Sequence, residues 1–238
     1  MPVKKNKLKR LLSLICLLAI ILCCLYNKSS TVYAVGTSQT IIIDAGHGGF
    51  DGGASADDGT TEKGINLQIS QKLNKILVAY GYKTVLTRDG DYALGSNKSS
   101  KTTKQLDLKA RTEYMQNYPD SIFVSIHQNK FSDTSVHGFQ TFYSNKVDGS
   151  KLLAEAIQGS TVKYAQPENT RPVKADSRGV YIMENATIPT VIVECGFLSN
   201  PNDLINLKSE SYQTLLAFSI ANGILDYYIN LKEDKNGS

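Results

Sequence analysis

Residues 40–53 read Thr40-Ile41-Ile42-Ile43-Asp44-Ala45-Gly46-His47-Gly48-Gly49-Phe50-Asp51-Gly52-Gly53. The first four are all β-branched, and a short run of that kind bounded by turn-forming residues reads as a buried strand. A glycine-rich loop then continues to Thr61. Beyond it Ile65, Ile69, Leu73, Ile76 and Leu77 recur at helical spacing over about 63–80, and Gly81 supplies a stop. Strand, loop and helix in this order make an α/β unit.

The same alternation carries to the end of the chain. Residues 82–87, 122–127, 138–143, 181–183 and 190–194 read as further strands, and 106–117, 151–164 and 212–229 as helices. The last helix offers Leu215, Leu216, Phe218, Ile220, Ile224 and Leu225 to the sheet, and residues after Lys232 read as a frayed tail. Long polar loops are expected at 88–103 and 165–177. The pattern predicts one α/β domain over 35–238, without internal repeats.

The first 34 residues stand apart from it. Lys4, Lys5, Lys7, Lys9 and Arg10 precede an apolar run over 11–25, and Val32, Tyr33 and Ala34 offer a small-x-small cleavage site. Basic, then apolar, then small is the order of an export signal. The run is long for a signal peptide and short for a comfortable membrane span, so cleavage after Ala34 and retention as a membrane anchor both stay open. Either way the basic flank keeps the N-terminus in the cytoplasm and sends the rest outside.

This leader also accounts for the basic character of the chain, because it holds six of the 26 Lys and Arg and no acid. The remainder has 20 basic against 22 acidic side chains, which gives no support to nucleic-acid binding. Of the four cysteines, Cys16, Cys23 and Cys24 lie in the apolar run. Cys195 is alone in the domain, which therefore has no internal disulfide.

Four side chains with useful chemistry fall at one kind of place. His47 follows the first strand, His127 closes the third, Glu194 closes the last apolar strand, and Glu62 begins the helix after the glycine loop. The carboxyl ends of strands in open α/β sheets form the crevice where ligands bind. Two imidazoles and a carboxylate are the ligand set of a catalytic zinc site whose fourth position stays open to water. On that reading His47, Glu62 and His127 hold one zinc ion, and Glu194 moves protons.

Each residue also has a plainer role available: His127 as a hydrogen-bonded strand end, Glu62 as a complement to the helix dipole. Glu194 fits such a role poorly, since an apolar strand would carry an acid into a buried neighbourhood without reason. Asp44 either orients His47 or bonds the loop. His137 reads as structural or surface, and Cys195 as an inert thiol on the opposite face of its strand. The glycines are no phosphate cradle, because Asp51 stands where the dinucleotide fingerprint needs glycine and no Walker lysine follows. They let the backbone turn tightly around His47.

Taken together, Ile43-Asp44-Ala45-Gly46-His47-Gly48-Gly49, Glu62, Ser125-Ile126-His127-Gln128-Asn129 and Val193-Glu194-Cys195-Gly196-Phe197-Leu198-Ser199-Asn200 resemble the zinc-dependent N-acetylmuramoyl-L-alanine amidases of type 3. The resemblance spans about 40–228. Thr87-Arg88, residues 108–111 and Arg178-Gly179 also match segments of that family, whereas Ala45 stands where the family commonly has proline. It implies a mixed, roughly six-stranded sheet flanked by helices and a reaction that cleaves the amide between the lactyl group of N-acetylmuramic acid and L-alanine in peptidoglycan. The family's zinc ligands fall on His47, Glu62 and His127, and its catalytic glutamate on Glu194.

The wording of the motifs, in a bare domain behind a leader, looks most like the spore-forming branch that matures spore cortex and leads to muramic lactam. No helix is expected between 151–164 and the last strand that would plug the cleft. General wall turnover or cell separation, and a wall-binding module without metal, are the alternatives. The implied partner is peptidoglycan, with an accessory exported protein left open.

Overall fold

A computed structural model describes residues 39–95 and 104–236. The isoleucine run forms β1 (Thr40–Ala45), which leads through the glycine loop into α1 (Glu62–Ala79) and β2 (Lys83–Leu86). There follow α2 (Lys104–Asn117), β3 (Ile122–Asn129), β4 (Gln140–Tyr143), α3 (Ser150–Tyr164) and β5 (Lys174–Ala175). The chain ends with α4 (Tyr181–Glu184), β6 (Thr190–Phe197), α5 (Pro201–Lys208) and α6 (Glu210–Asn236).

The strands make one sheet in the order β2-β1-β3-β6-β4-β5, with β4 antiparallel to β6 and every other pair parallel. This is the mixed six-stranded α/β fold the sequence implies. The leader expected over 1–34 lies outside the described residues. Among those, no helix is long and apolar enough to cross a membrane.

Strand alternation gives the two faces of the sheet different fates. Ile41, Ile43, Val124, Ile126, Val191 and Val193 point one way, into a large core closed by α1, α3 and α6. Ile42, Phe123, Met115, Ile182 and Ile188 form a smaller cluster on the other face, covered by α2 and the single turn of α4. On that thinly covered face the strands become polar toward their carboxyl ends: Asp44, Ser125, His127 and Glu194 continue the same alternation. The face with the smaller apolar cluster is the one that carries the chemistry.

Three local expectations need correction. Residues 181–183 form the helix α4 rather than a strand, with Ile182 and Met183 buried side by side; a strand would send consecutive side chains to opposite faces. The sixth strand is instead β5, two exposed residues paired to Phe142 and Tyr143, and an exposed edge carries no hydrophobic pattern. Helix α6 continues through Asn236 where a frayed tail is expected, with Leu231 packed on the core. It buries Leu216, Ile220 and Ile224, one side of every turn, and leaves Leu215 and Phe218 exposed.

Helix α5 has no counterpart in the sequence reading, although its start is signalled. Asn200 caps it by accepting the amide protons of Asn202 and Asp203, and Pro201 occupies the first turn.

Candidate active site

The three candidate ligands and Glu194 meet at the carboxyl edge of the polar face. One donor atom from each of His47, Glu62 and His127 lies within 4.8 Å of the others. His47 Nε2 is 3.3 Å from one Glu62 oxygen and His127 Nδ1 is 2.9 Å from the other. Metal bonds of about 2.0–2.1 Å in a tetrahedron place ligand atoms roughly 3.3 Å apart, so the spacing and the donor types both suit one small divalent ion. Two imidazole nitrogens facing one buried carboxylate can meet it through N–H protons or through a shared cation. The triad is a potential metal site.

Glu62 is fixed in place before any metal arrives. Its two oxygens accept hydrogen bonds from the backbone amides of Ala54, at 2.8 Å, and Gln128, at 3.0 Å. Burial opposes ionisation of this group, but the hydrogen bonds and charges of His127 and His47 outweigh it and hold the carboxyl well below the usual carboxylate range. For His47, burial disfavours the charged ring while Glu62 and Asp51 favour it, and the net shift is upward.

His47 sits in the left-handed region, with φ of 63°, which costs a non-glycine residue roughly 1–2 kcal/mol. Its surroundings hold it there. Arg111 donates to its carbonyl at 2.7 Å and to the carbonyl of Ala45 at 3.0 Å. Arg88 donates to Ala45 at 2.8 Å and to Gly46 at 3.0 Å, so two buried guanidiniums occupy three consecutive carbonyls. Asp51 Oδ2 lies 2.9 Å from His47 Nδ1 and orients the ring with Nε2 toward Glu62.

Asp44, the residue with two readings from sequence, does not touch His47. It is fully buried, accepts hydrogen bonds from Thr87 and Ser125, and pairs with Arg111. It therefore acts on the His47 backbone through Arg111. Burial raises its pKa, but Arg111 and the two hydroxyls prevail and keep it ionised.

The glycines are also more specific than a flexible turn. A Cβ on Gly46 would lie 2.3 Å from His127 Nε2, so the His127 ring occupies the space a side chain would take. Gly53, at φ of 66°, likewise leaves room for the Glu62 carboxylate.

Glu194 is the register partner of His127 across β3 and β6, so both side chains leave the sheet on the same face. Burial and the nearby Glu62 charge raise its pKa, against the lowering influence of His127 and Arg178. Cys195 points to the other face, into the core, where burial pushes its thiol up. A cleft of about 330 Å³ opens over the group, bounded by Lys104, Leu108, Arg178 and Tyr181.

A larger groove, about 690 Å³, lies between residues 135–138, 165–171 and α5, and contains His137. Many of its polar groups are used internally: Asp203 accepts from Gly138 and Phe197, and Asn169 donates to Phe139. His137 thus stays outside the candidate metal site.

Residues 41–226 match the family described as N-acetylmuramoyl-L-alanine amidase, and the chain belongs to that family. Its reaction is hydrolysis of the amide between N-acetylmuramic acid and L-alanine in peptidoglycan. The germination-specific N-acetylmuramoyl-L-alanine amidase of Bacillus subtilis (strain 168) is 32% identical over 194 residues, 81% of each chain. LytC of the same organism is 34% identical, over 80% of this chain and 36% of its own. Among solved structures, the CwlD amidase from Clostridioides difficile in complex with the GerS lipoprotein is 40% identical, with a TM-score of 0.75 over 80% of this chain and 98% of that one.

Sequence reasoning singled out the ligands and Glu194, but gave no role to Asp51, Arg88 or Arg111. The family resemblance does touch Arg88 and Arg111. The only local signal for Arg111 is Asp107 one helical turn earlier, with which it pairs at 2.8 Å.

Proposed function

We propose that this amidase is a zinc enzyme in which His47, Glu62 and His127 hold the metal and Glu194 carries the proton. The observation that supports it most is the convergence of the three donors beside an acid that shares a register position with one of them. Zinc bound there supplies Lewis acidity toward water and the amide carbonyl. Glu194 accepts the proton of the attacking water and delivers it to the leaving nitrogen, which an amide needs because its anion leaves poorly. Its raised pKa suits a group that must hold a proton between the two steps.

The biological setting we assign is spore cortex maturation, in which peptide is removed from muramic acid before the lactam closes. The likeness to the germination-specific relative supports it. Residues 1–34 are an export signal or anchor and 35–238 the catalytic domain, which places the enzyme outside the cytoplasmic membrane. An accessory exported protein is part of the same reading, supported by the related amidase solved with a lipoprotein. The likeness to LytC favours general wall turnover as the second reading.

Metal content and turnover of a defined muropeptide, measured together, test the chemistry. Glu194→Gln is expected to keep its zinc and lose turnover by about 10²–10⁴-fold. Near-normal activity in that variant removes the proton-carrier role, and metal-free protein with full activity removes the zinc. Deleting the gene tests the setting: lactam-free cortex supports it, whereas chained vegetative cells with normal spores reject it.

A further inference from the structure

Between β5 and α4 lies a polar chain that the reading above does not use. Asp176, whose side chain is 1% exposed, accepts the amide proton of Val180 at 3.1 Å and the Nε proton of Arg178 at 2.7 Å. The Arg178 guanidinium lies over the Phe142 ring, 4.1 Å from its centroid, and Nη1 donates to Glu194 Oε1 at 3.1 Å. Glu194 Oε2 is buried and has no hydrogen-bond partner among the described residues. The two oxygens of one carboxylate are therefore in different states: one anchored, one open.

An exposed ion pair would deserve little weight, because long side chains gain little from pairing in water. Arg178 differs in three respects. Its own side chain is 39% exposed, but both carboxylates it joins are buried, at 1% and 7% side-chain exposure. Its planar fork is stacked on an aromatic face and hydrogen-bonded through two of its nitrogens. Its anchor, Asp176, is tied to the backbone ahead of α4, so the guanidinium is placed by the fold itself. A buried carboxylate oxygen without a partner is costly, and such a cost persists where a second molecule completes the bond during function.

We infer that Arg178, set by Asp176, is a positioning residue for the hydrolysis: it holds Glu194 by Oε1 and leaves Oε2 as the oxygen that handles the proton. The inference rests on Glu194 being the proton carrier. As the water oxygen bonds to the amide carbon, Oε2 takes one of its protons. As the carbon–nitrogen bond breaks, Oε2 returns that proton to the nitrogen. The products are the lactyl carboxylic acid and the free amine of L-alanine, with no net change at Glu194. Oε1 takes no part in either transfer.

Arg178→Ala, Arg178→Lys and Asp176→Asn test this on the zinc-loaded enzyme with a defined muropeptide. Arg178→Ala is expected to lower kcat by about 10²-fold, the loss that misplacing a reacting group by an ångström brings, with KM and zinc content unchanged. Added methylguanidinium should restore part of that kcat, and Arg178→Lys, which keeps charge but cannot span both acids, should fall between. Asp176→Asn should lower kcat less than Arg178→Ala. In a Glu194→Gln background, Arg178→Ala should cost nothing further.

An unchanged kcat, a loss confined to KM, or a loss that methylguanidinium does not relieve and that follows a lowered Tm overturns the positioning role. Failure of the proton-carrier reading is separate: it appears as activity in Glu194→Gln alone, whatever the Arg178 variants do.

Discussion

Arg111 and Asp44 form an ion pair buried directly behind His47, with 1% and 0% of their surfaces exposed. The pair fixes the backbone of a candidate ligand from the interior, and breaking it leaves an acid without a countercharge. Removing one partner of such a pair costs about 3–5 kcal/mol. Arg111→Met is therefore expected to lower the thermal midpoint by roughly 10 °C, measured by calorimetry. A midpoint within a degree or two of the wild type would show that Asp44 finds another partner.

Gly46→Ala tests how closely the backbone approaches His127. The added Cβ would sit 2.3 Å from His127 Nε2, so the ring must leave its place. The expected result is a folded protein with native circular dichroism that has lost bound zinc and turnover together. Retained zinc would mean the ring relocates without loss of ligation.

Asp51→Asn addresses the orientation of His47. The hydrogen bond that Nδ1–H donates to Asp51 sets the ring and strengthens Nε2 as an electron-pair donor. Loss of an outer partner of this kind weakens metal binding by about 10- to 100-fold. Competition against a chelator of known affinity measures the change, and an unaltered Kd would assign Asp51 to the loop alone.

Tyr82 provides a pH dependence away from the site. Its hydroxyl is buried with no hydrogen-bond partner among the described residues, its ring stacks on Tyr228, and burial pushes its pKa up to about 12. The phenol ionises near pH 10 in an unfolded chain, so folding favours the neutral form. That contribution is whole below about pH 10 and fades as pH rises toward about 12. Tyr82→Phe is expected to keep the wild-type midpoint at pH 7 and to lose less of it between those two values. Parallel curves for the two proteins would place the alkaline loss at other tyrosines.

The legible part of this protein is the part encoded locally. The isoleucines of β1 and the valines of β6 announce buried strands because a strand repeats every two residues. The every-fourth-residue spacing of Ile65, Ile69, Leu73 and Leu77 announces α1 for the same kind of reason. Even the chemistry is partly local: strands that carry His127 or Glu194 toward their carboxyl ends bring those side chains to that edge of the sheet, and the motif around His47 names the company they keep.

Tertiary structure decided what depends on residues far apart. Only the strand order, with β6 between β3 and β4, makes His127 and Glu194 neighbours. Only folding buries Arg88 and Arg111 where three loop carbonyls await donors, and an isolated arginine in a sequence gives no sign of that. The edge strand β5 escaped the pattern because it has no face of its own to bury, and α4 read as a strand because a single turn with Ile182 and Met183 buried is too short to show a helical period. The sequence thus determined which side chains reach the sheet edge, and packing decided which of them meet, because contact is set by pairing across the sheet and not by spacing along it.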